Sequence, residues 1–173
     1  MMKILKVFAI TIPILLITLI VYLFLNFQEK KEKIDALKNL PTFYLKTINK
    51  SSFTQDDLIR DKTKIIVYFN PACHFCQVEA KELSKNIHKY QNIQWIWIAS
   101  EPIENIKQFA QKYNLDKIPN VYWCYDEMAT LYQKLGMNSV PYFLVYNKNN
   151  QLIKRNSGAI KLEKITHSID ERK

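Results

Sequence analysis

Two cysteines separated by two residues, Cys73-His74-Phe75-Cys76, are the part of this sequence most able to do chemistry. They stand where the continuous apolar run Ile65 to Phe69 gives way to a helical pattern reaching about Tyr90. Cys73 therefore falls at a helix N-terminus, where unpaired N–H groups and the helix dipole favour a thiolate. A protonated His74 would add positive charge. Cys76 lies one turn on, in the apolar series Cys76, Ala80, Leu83, Ile87 and Tyr90, spaced by three and four. An exposed thiolate followed by a buried thiol is the arrangement disulfide exchange needs: the first attacks, and the second resolves the mixed disulfide. A C-x-x-C near a βαβ pattern is a redox signal. Three plainer readings compete. Zinc needs two further ligands and a second pair, which the chain lacks. Haem attachment needs His directly after the second Cys, where Gln77 stands. Two unrelated core cysteines would be simple small hydrophobes.

The elements that must position the pair alternate. A short strand is expected over Thr42 to Ile48, then a turn capped by Thr54 over Gln55 to Ile59. Ile65 to Phe69 reads as a strand buried on both faces, and Ile93 to Ala99 as another, with Trp95 and Trp97 on one side. Pro102 opens a helix carrying Ile103, Ile106, Phe109, Ala110 and Tyr113. Val121 to Tyr125 is a strand, and Asp126 caps a helix running to Leu135, which Gly136 ends. Strands at Tyr142 to Tyr146 and Gln151 to Arg155 form a hairpin around Asn147 to Asn150, and a helix over Ile160 to Ile169 closes the chain. The order β-α-β-α-β-α-β-β-α predicts an α/β fold: a central mixed, mostly parallel sheet with helices on both faces. His88 and His167 read as surface residues. Met128, Met137, Trp95 and Trp97 read as packing, and Cys124 as a buried inert thiol, with a third redox thiol the alternative.

Composition bounds the rest. The chain has 173 residues, 48% hydrophobic and 24% charged, with 2 Gly, 6 Pro and 3 Cys. That excludes wholesale disorder, repeats and a disulfide-stapled miniature, so the fold rests on its core. The net charge of +9 comes mostly from lysines interleaved with acids, not gathered in a stripe, so no nucleic-acid partner is expected. Val7 to Phe27 is a run of 21 uncharged residues. As a helix it would reach about 31 Å, the thickness of a bilayer core. It is too long for a signal-peptide core, and no small-residue cleavage site follows, so residues 1–27 are read as an uncleaved anchor. Residues 28–39 read as a charged juxtamembrane linker and 40–173 as the globular domain. Lys3 and Lys6 precede the span, while Lys30, Lys31 and Lys33, mixed with Glu29 and Glu32, follow it; charge alone does not orient it.

From about Leu40 to Ile165 the chain resembles the thioredoxin superfamily, and within it the membrane-anchored thioredoxin-like proteins of the ResA/TlpA type. The residues that carry this are Pro41-Thr-Phe-Tyr-Leu, Ile65-Ile-Val-Tyr-Phe before Asn70-Pro-Ala-Cys-His-Phe-Cys, the segment Ile98 to Val121, and Val140-Pro141 before Tyr-Phe-Leu-Val-Tyr. The resemblance implies that Pro141 is cis and faces the cysteines, with Phe75, Val140 and Pro141 on the substrate-binding surface. Thioredoxin's buried Asp is replaced here by Val67. Glu101 matches a glutamate of the ResA-like group and is expected to shuttle a proton or tune the cysteines, as is His74 to tune the thiolate. His74-Phe75 departs from the oxidant pattern, which leaves the redox direction open. The implied activity is a thiol–disulfide oxidoreductase, a reductase before an oxidase. It would need no cofactor beyond a redox-active Cys73–Cys76 disulfide. It would act on protein disulfides of the bacterial envelope, for example in cytochrome c maturation. A membrane thiol donor would feed it, and it would sit as a single pass in the cytoplasmic membrane, facing the periplasm. A peroxiredoxin-like peroxidase is a second reading, weakened because Asn70 stands where that family has Thr. A copper chaperone is a third, with only His167 as a remote ligand.

Overall fold

The computed structural model describes residues 2–170; the side chains of residues 2–10, 29–30, 32–36 and 168–170 lie outside the description. Lys3, Lys6, Glu29, Lys30, Glu32 and Lys33, used above to weigh orientation, are among them. The chain divides into two units, residues 1–36 and 37–173.

The first unit is helix α1, Met2–Ala36, which holds Pro13 inside it and continues through most of the charged stretch. Its segment Thr11–Gln28 has mean hydropathy 2.0 and is, among the described residues, the one helix long and apolar enough to cross a membrane.

The second unit is built on a seven-stranded sheet ordered β2-β1-β5-β4-β3-β6-β7. The strands are β1 Tyr44–Thr47, β2 Ser52–Thr54, β3 Thr63–Tyr68, β4 Ile93–Ala99, β5 Val121–Tyr125, β6 Tyr142–Tyr146 and β7 Leu152–Ser157. The helices are α2 His74–Asn86, α3 Ile103–Lys112, α4 Thr130–Lys134 and α5 Leu162–Asp170. Strands β3 and β4 are apolar along nearly their whole length because both their faces are covered. Ile65, Val67, Trp95 and Trp97 point into one core with residues of α2, α3 and α5. Ile66, Tyr68, Ile96 and Ile98 point into the other, with Leu131 of α4 and with Leu37 and Leu40. Burying one such side chain stabilises the fold by about 1.5–3 kcal/mol.

The sheet is mixed, as the alternation predicts, but parallel pairing is confined to β3–β4 and β4–β5. The β1–β2, β1–β5, β3–β6 and β6–β7 pairings are antiparallel. Leu37 is already buried in the second unit, and Lys38 and Leu40 hydrogen-bond to Leu152 and Asn150. The Asp126–Leu135 helix is a correction. It is broken: a 3₁₀ turn covers Glu127–Ala129, Met128 and Ala129 adopt left-handed backbone (φ 57° and 53°), and α4 starts only at Thr130. The cause is Asp126, whose buried carboxylate accepts the Leu131 and Tyr132 N–H groups and so caps α4 from outside the turn. Met128, expected to pack, is 83% exposed as a result.

One end of this architecture gathers the loops that matter. The carboxyl ends of parallel β3, β4 and β5 lead to Cys73, Glu101 and Asp126, and Tyr68 pairs with Tyr142, the residue after Pro141. In open α/β sheets ligands bind outside these strand ends.

Candidate active site

Asn70, the first residue past β3 and Phe69, builds the cysteine loop. Its side-chain oxygen accepts the Ala72 N–H at 2.8 Å, and its backbone carbonyl accepts the Cys73 N–H at 3.0 Å. Its amide donates to Glu101 Oε1 at 2.8 Å. Gln77 closes the turn from the helix side by donating to the Pro71 carbonyl at 2.9 Å. Cys73 is thus held at the N-cap of α2 in extended backbone (φ −74°, ψ 121°) and is half-buried. Its side chain makes no cap hydrogen bond to α2, whose first N–H groups have no partner within the helix.

Across the loop the Val140–Pro141 bond is cis. The Cys73 thiol lies 3.7 Å from the Val140 carbonyl oxygen, to which it donates. Phe75 is 58% exposed beside it. His74 is exposed, with its ring 5.9 Å from that of Phe75. Glu101 is half-buried and engages the site through Asn70.

Cys76 is fully buried, and burial pushes its thiol up to about 12. The neighbouring Cys73 and the Glu79 carboxylate push the same way, against the Asn70 backbone, which favours the thiolate. Cys73, Cys76 and Cys124 are all free. Cys124 is fully buried on β5 and burial holds its thiol far above the usual range, so it is chemically quiet.

Glu79 is the residue that the sequence reading passed over. Only 5% exposed, it accepts the Ile160 N–H at 2.9 Å. Burial raises its carboxyl above the ordinary range; Glu82 adds to this and the Ile160 N–H opposes it. The signal was available, because position i+3 from Cys76 shares its helix face. Glu79 is thus a buried acid on α2 whose charge acts on Cys76, while strand β3 carries Val67 and no acid. A cavity of about 570 Å³ between α2 and residues 159–163 opens beside it.

Behind the loop Tyr68 donates to Asp126 at 3.0 Å. Phe69, Trp97 and Trp123 pack edge-to-face and stacked, with ring centroids 5.2–5.5 Å apart. The backbone that launches the cysteine loop therefore rises from a rigid floor.

Comparison with known proteins agrees with this geometry. A secreted Mycobacterium tuberculosis disulfide oxidoreductase homologous to E. coli DsbE superposes with TM-score 0.63 at 19% identity, over 79% of this chain and 98% of that one. A thioredoxin-like protein from Aeropyrum pernix gives 0.64 at 17% identity, over 87% and 99%. The peroxidoxin BcpB of M. tuberculosis gives 0.67 at 12% identity, over 78% and 96%. Likeness at these identities shows the fold alone, which is thioredoxin-like. No curated protein matches the chain. Residues 37–156 match the sequence model of the AhpC/TSA family, a span that covers the cysteine loop, Glu79, Glu101 and Pro141 alike, and the chain belongs to that family.

Proposed function

We propose that this protein is a thiol–disulfide oxidoreductase of the ResA/TlpA type. It is tethered to the bacterial cytoplasmic membrane by α1, faces the periplasm, and reduces disulfides of envelope proteins, cytochrome c maturation being one setting. The observation that carries the reading is the contrast between two thiols one helical turn apart. Cys73 is accessible at a helix N-terminus; Cys76 is sealed, with its thiol at about 12, beside the buried acid Glu79.

The Cys73 thiolate attacks one sulfur of a substrate disulfide. The substrate S–S bond breaks as the Cys73–substrate bond forms, and the departing thiolate takes a proton from solvent. The Val140 carbonyl pairs with the substrate backbone as an added strand and holds it for this attack. Cys76 then gives its proton to the Glu79 carboxylate and attacks Cys73 Sγ. The mixed disulfide breaks, the second substrate sulfur leaves as a thiolate and takes a proton from solvent, Glu79 returns its proton to solvent, and a Cys73–Cys76 disulfide remains. The substrate gains two electrons and two protons. A membrane thiol donor restores the dithiol by the same exchange in reverse. Glu101 positions the loop through Asn70, and His74 lends positive charge when protonated.

The test is reduction of a protein disulfide by the reduced full-length chain. Loss of turnover in both Cys73→Ser and Cys76→Ser supports exchange. The family and the likeness to a peroxidoxin favour a thiol peroxidase as second reading. Turnover of hydrogen peroxide through a Cys73 sulfenic acid, with no protein disulfide reduced, would select it.

A further inference from the structure

Helices α2 and α3 both start at the carboxyl end of the sheet, pack on the same face and run away from the cysteine loop. Two cavities lie in sequence along α3. One, of about 300 Å³, is bounded by Pro71 and Ala72 of the cysteine loop and by Asn105, Gln108 and Lys112 of α3. The next, of about 370 Å³, shares Lys112 and adds Lys81 and Lys85 of α2, with Ser84 and Asn114. The shared lysine makes them one groove that begins beside Cys73. No acidic side chain lines either part, and no ion pair engages Lys81, Lys85 or Lys112 among the described residues. Lys112 lies over the Tyr113 ring at 5.5 Å, a contact that leaves its charge in place. The other flank of α2 has the opposite sign: Glu79, Glu82 and Glu163 face one lysine, Lys161. The excess positive charge of the chain is therefore sorted locally by α2, with cations on the α3 side of the nucleophile.

We propose that this groove receives an acidic flank of the disulfide-bearing polypeptide, so that the enzyme selects substrates with carboxylates a fixed distance from the reacting cysteine. The proposal rests on the exchange reading above and names its substrate class. Lys81 and Lys85 lie about 12 and about 18 Å of helix rise beyond Cys73. An extended chain covers about 3.3 Å per residue, which places the matching acids about four to six residues from the attacked half-cystine. Exposed charges of this kind speed encounter more than they tighten the complex, and salt removes their effect over about 10 Å at 0.1 M.

The experiment uses the reduced full-length protein in a neutral detergent and two peptides with the same internal disulfide. One carries Glu four, five and six residues from a half-cystine; the other carries Gln there. At low ionic strength the acidic peptide is expected to react about tenfold faster, a preference that fades towards unity at high salt. Combining Lys81→Gln, Lys85→Gln and Lys112→Gln is expected to abolish the preference, with the Gln peptide reporting that the variant still folds. Removing three lysines at the other end of the sheet, by Lys50→Gln, Lys117→Gln and Lys148→Gln, is expected to keep it. Equal, fast reaction of both peptides, or a preference that survives the first triple variant, overturns the groove and leaves exchange standing. Failure of both peptides to react removes the exchange reading and the groove together.

Discussion

The Cys73 thiol lies 3.7 Å from the carbonyl oxygen of Val140, although 67 residues separate them in the chain. Antiparallel pairing of β3 with β6 creates this proximity by setting Tyr68 opposite Tyr142. The nucleophile and the backbone carbonyl that accepts its thiol hydrogen thus lie side by side at the carboxyl end of the parallel strands.

If substrate is held there while Cys73 attacks, the two cysteine variants must differ in kind. Cys73→Ser forms no adduct, and exchange falls on the order of a thousandfold or more. Cys76→Ser still attacks but cannot resolve, so it accumulates a Cys73–substrate mixed disulfide. Intact-mass spectrometry of each variant after mixing with a disulfide peptide checks both outcomes.

Glu79 is predicted to act on resolution and not on attack. Glu79→Gln keeps an acceptor for the Ile160 N–H but loses the charge and the proton acceptor. Single-turnover resolution is expected to slow about a hundredfold, the lower end of the range of general base catalysis. The pH dependence set by a carboxyl raised above its ordinary range should vanish with it. Initial attack by Cys73, followed by the first adduct, should keep its rate.

Burial of Cys76 also has a signed effect on stability. Its thiol moves from 9.0 to about 12 on folding, so between these values the unfolded chain has lost a proton that the folded chain keeps. The unfolded state binds fewer protons there, and stability falls as pH rises through this window. Tyr68, Tyr146 and Cys124 are raised too and act in the same direction at alkaline pH. Denaturant unfolding of the reduced protein from pH 8 to 11 should show Cys76→Ala losing less stability than wild type. Over this pH range the difference should be no more than about 3 kcal/mol.

The Glu101–Asn70 bond predicts a positioning role. Glu101→Ala frees the Asn70 amide and costs about 1 kcal/mol. It loosens the loop that presents Cys73, so alkylation of Cys73 should change its pH profile. Glu101→Gln retains an oxygen acceptor and should restore the wild-type profile, an outcome a purely electrostatic Glu101 would not give.

Much of this was legible from residue order. Ile93–Ala99, Val121–Tyr125 and Tyr142–Tyr146 are observed as the β-branched and aromatic runs place them, because strands covered on both faces leave an unbroken apolar signature. The Cys73–Cys76 division into accessible and buried thiols follows from helical period alone. What escaped was set by tertiary structure. The break at Met128 and Ala129 depends on where the Asp126 carboxylate finds its N–H donors, which local propensity does not encode. The antiparallel pairings around the parallel centre depend on chain reversal at β1 and β6. Sharing a helix face with Cys76 does not by itself bury Glu79; its burial depends on the Ile160 segment closing over it. Glu101 matched a family position, yet its partner Asn70 is visible only in three dimensions.

The central claim is that Cys73 and Cys76 form a reversible redox pair that donates electrons. The most direct measurement is the equilibrium of the full-length protein with a dithiothreitol or glutathione series, read as the fraction of Cys73–Cys76 disulfide by thiol-trapping mass spectrometry. A two-electron transition near about −270 mV, in the range of thioredoxin, is the predicted result. A midpoint near about −120 mV, or no disulfide between these residues at any poise, would contradict it.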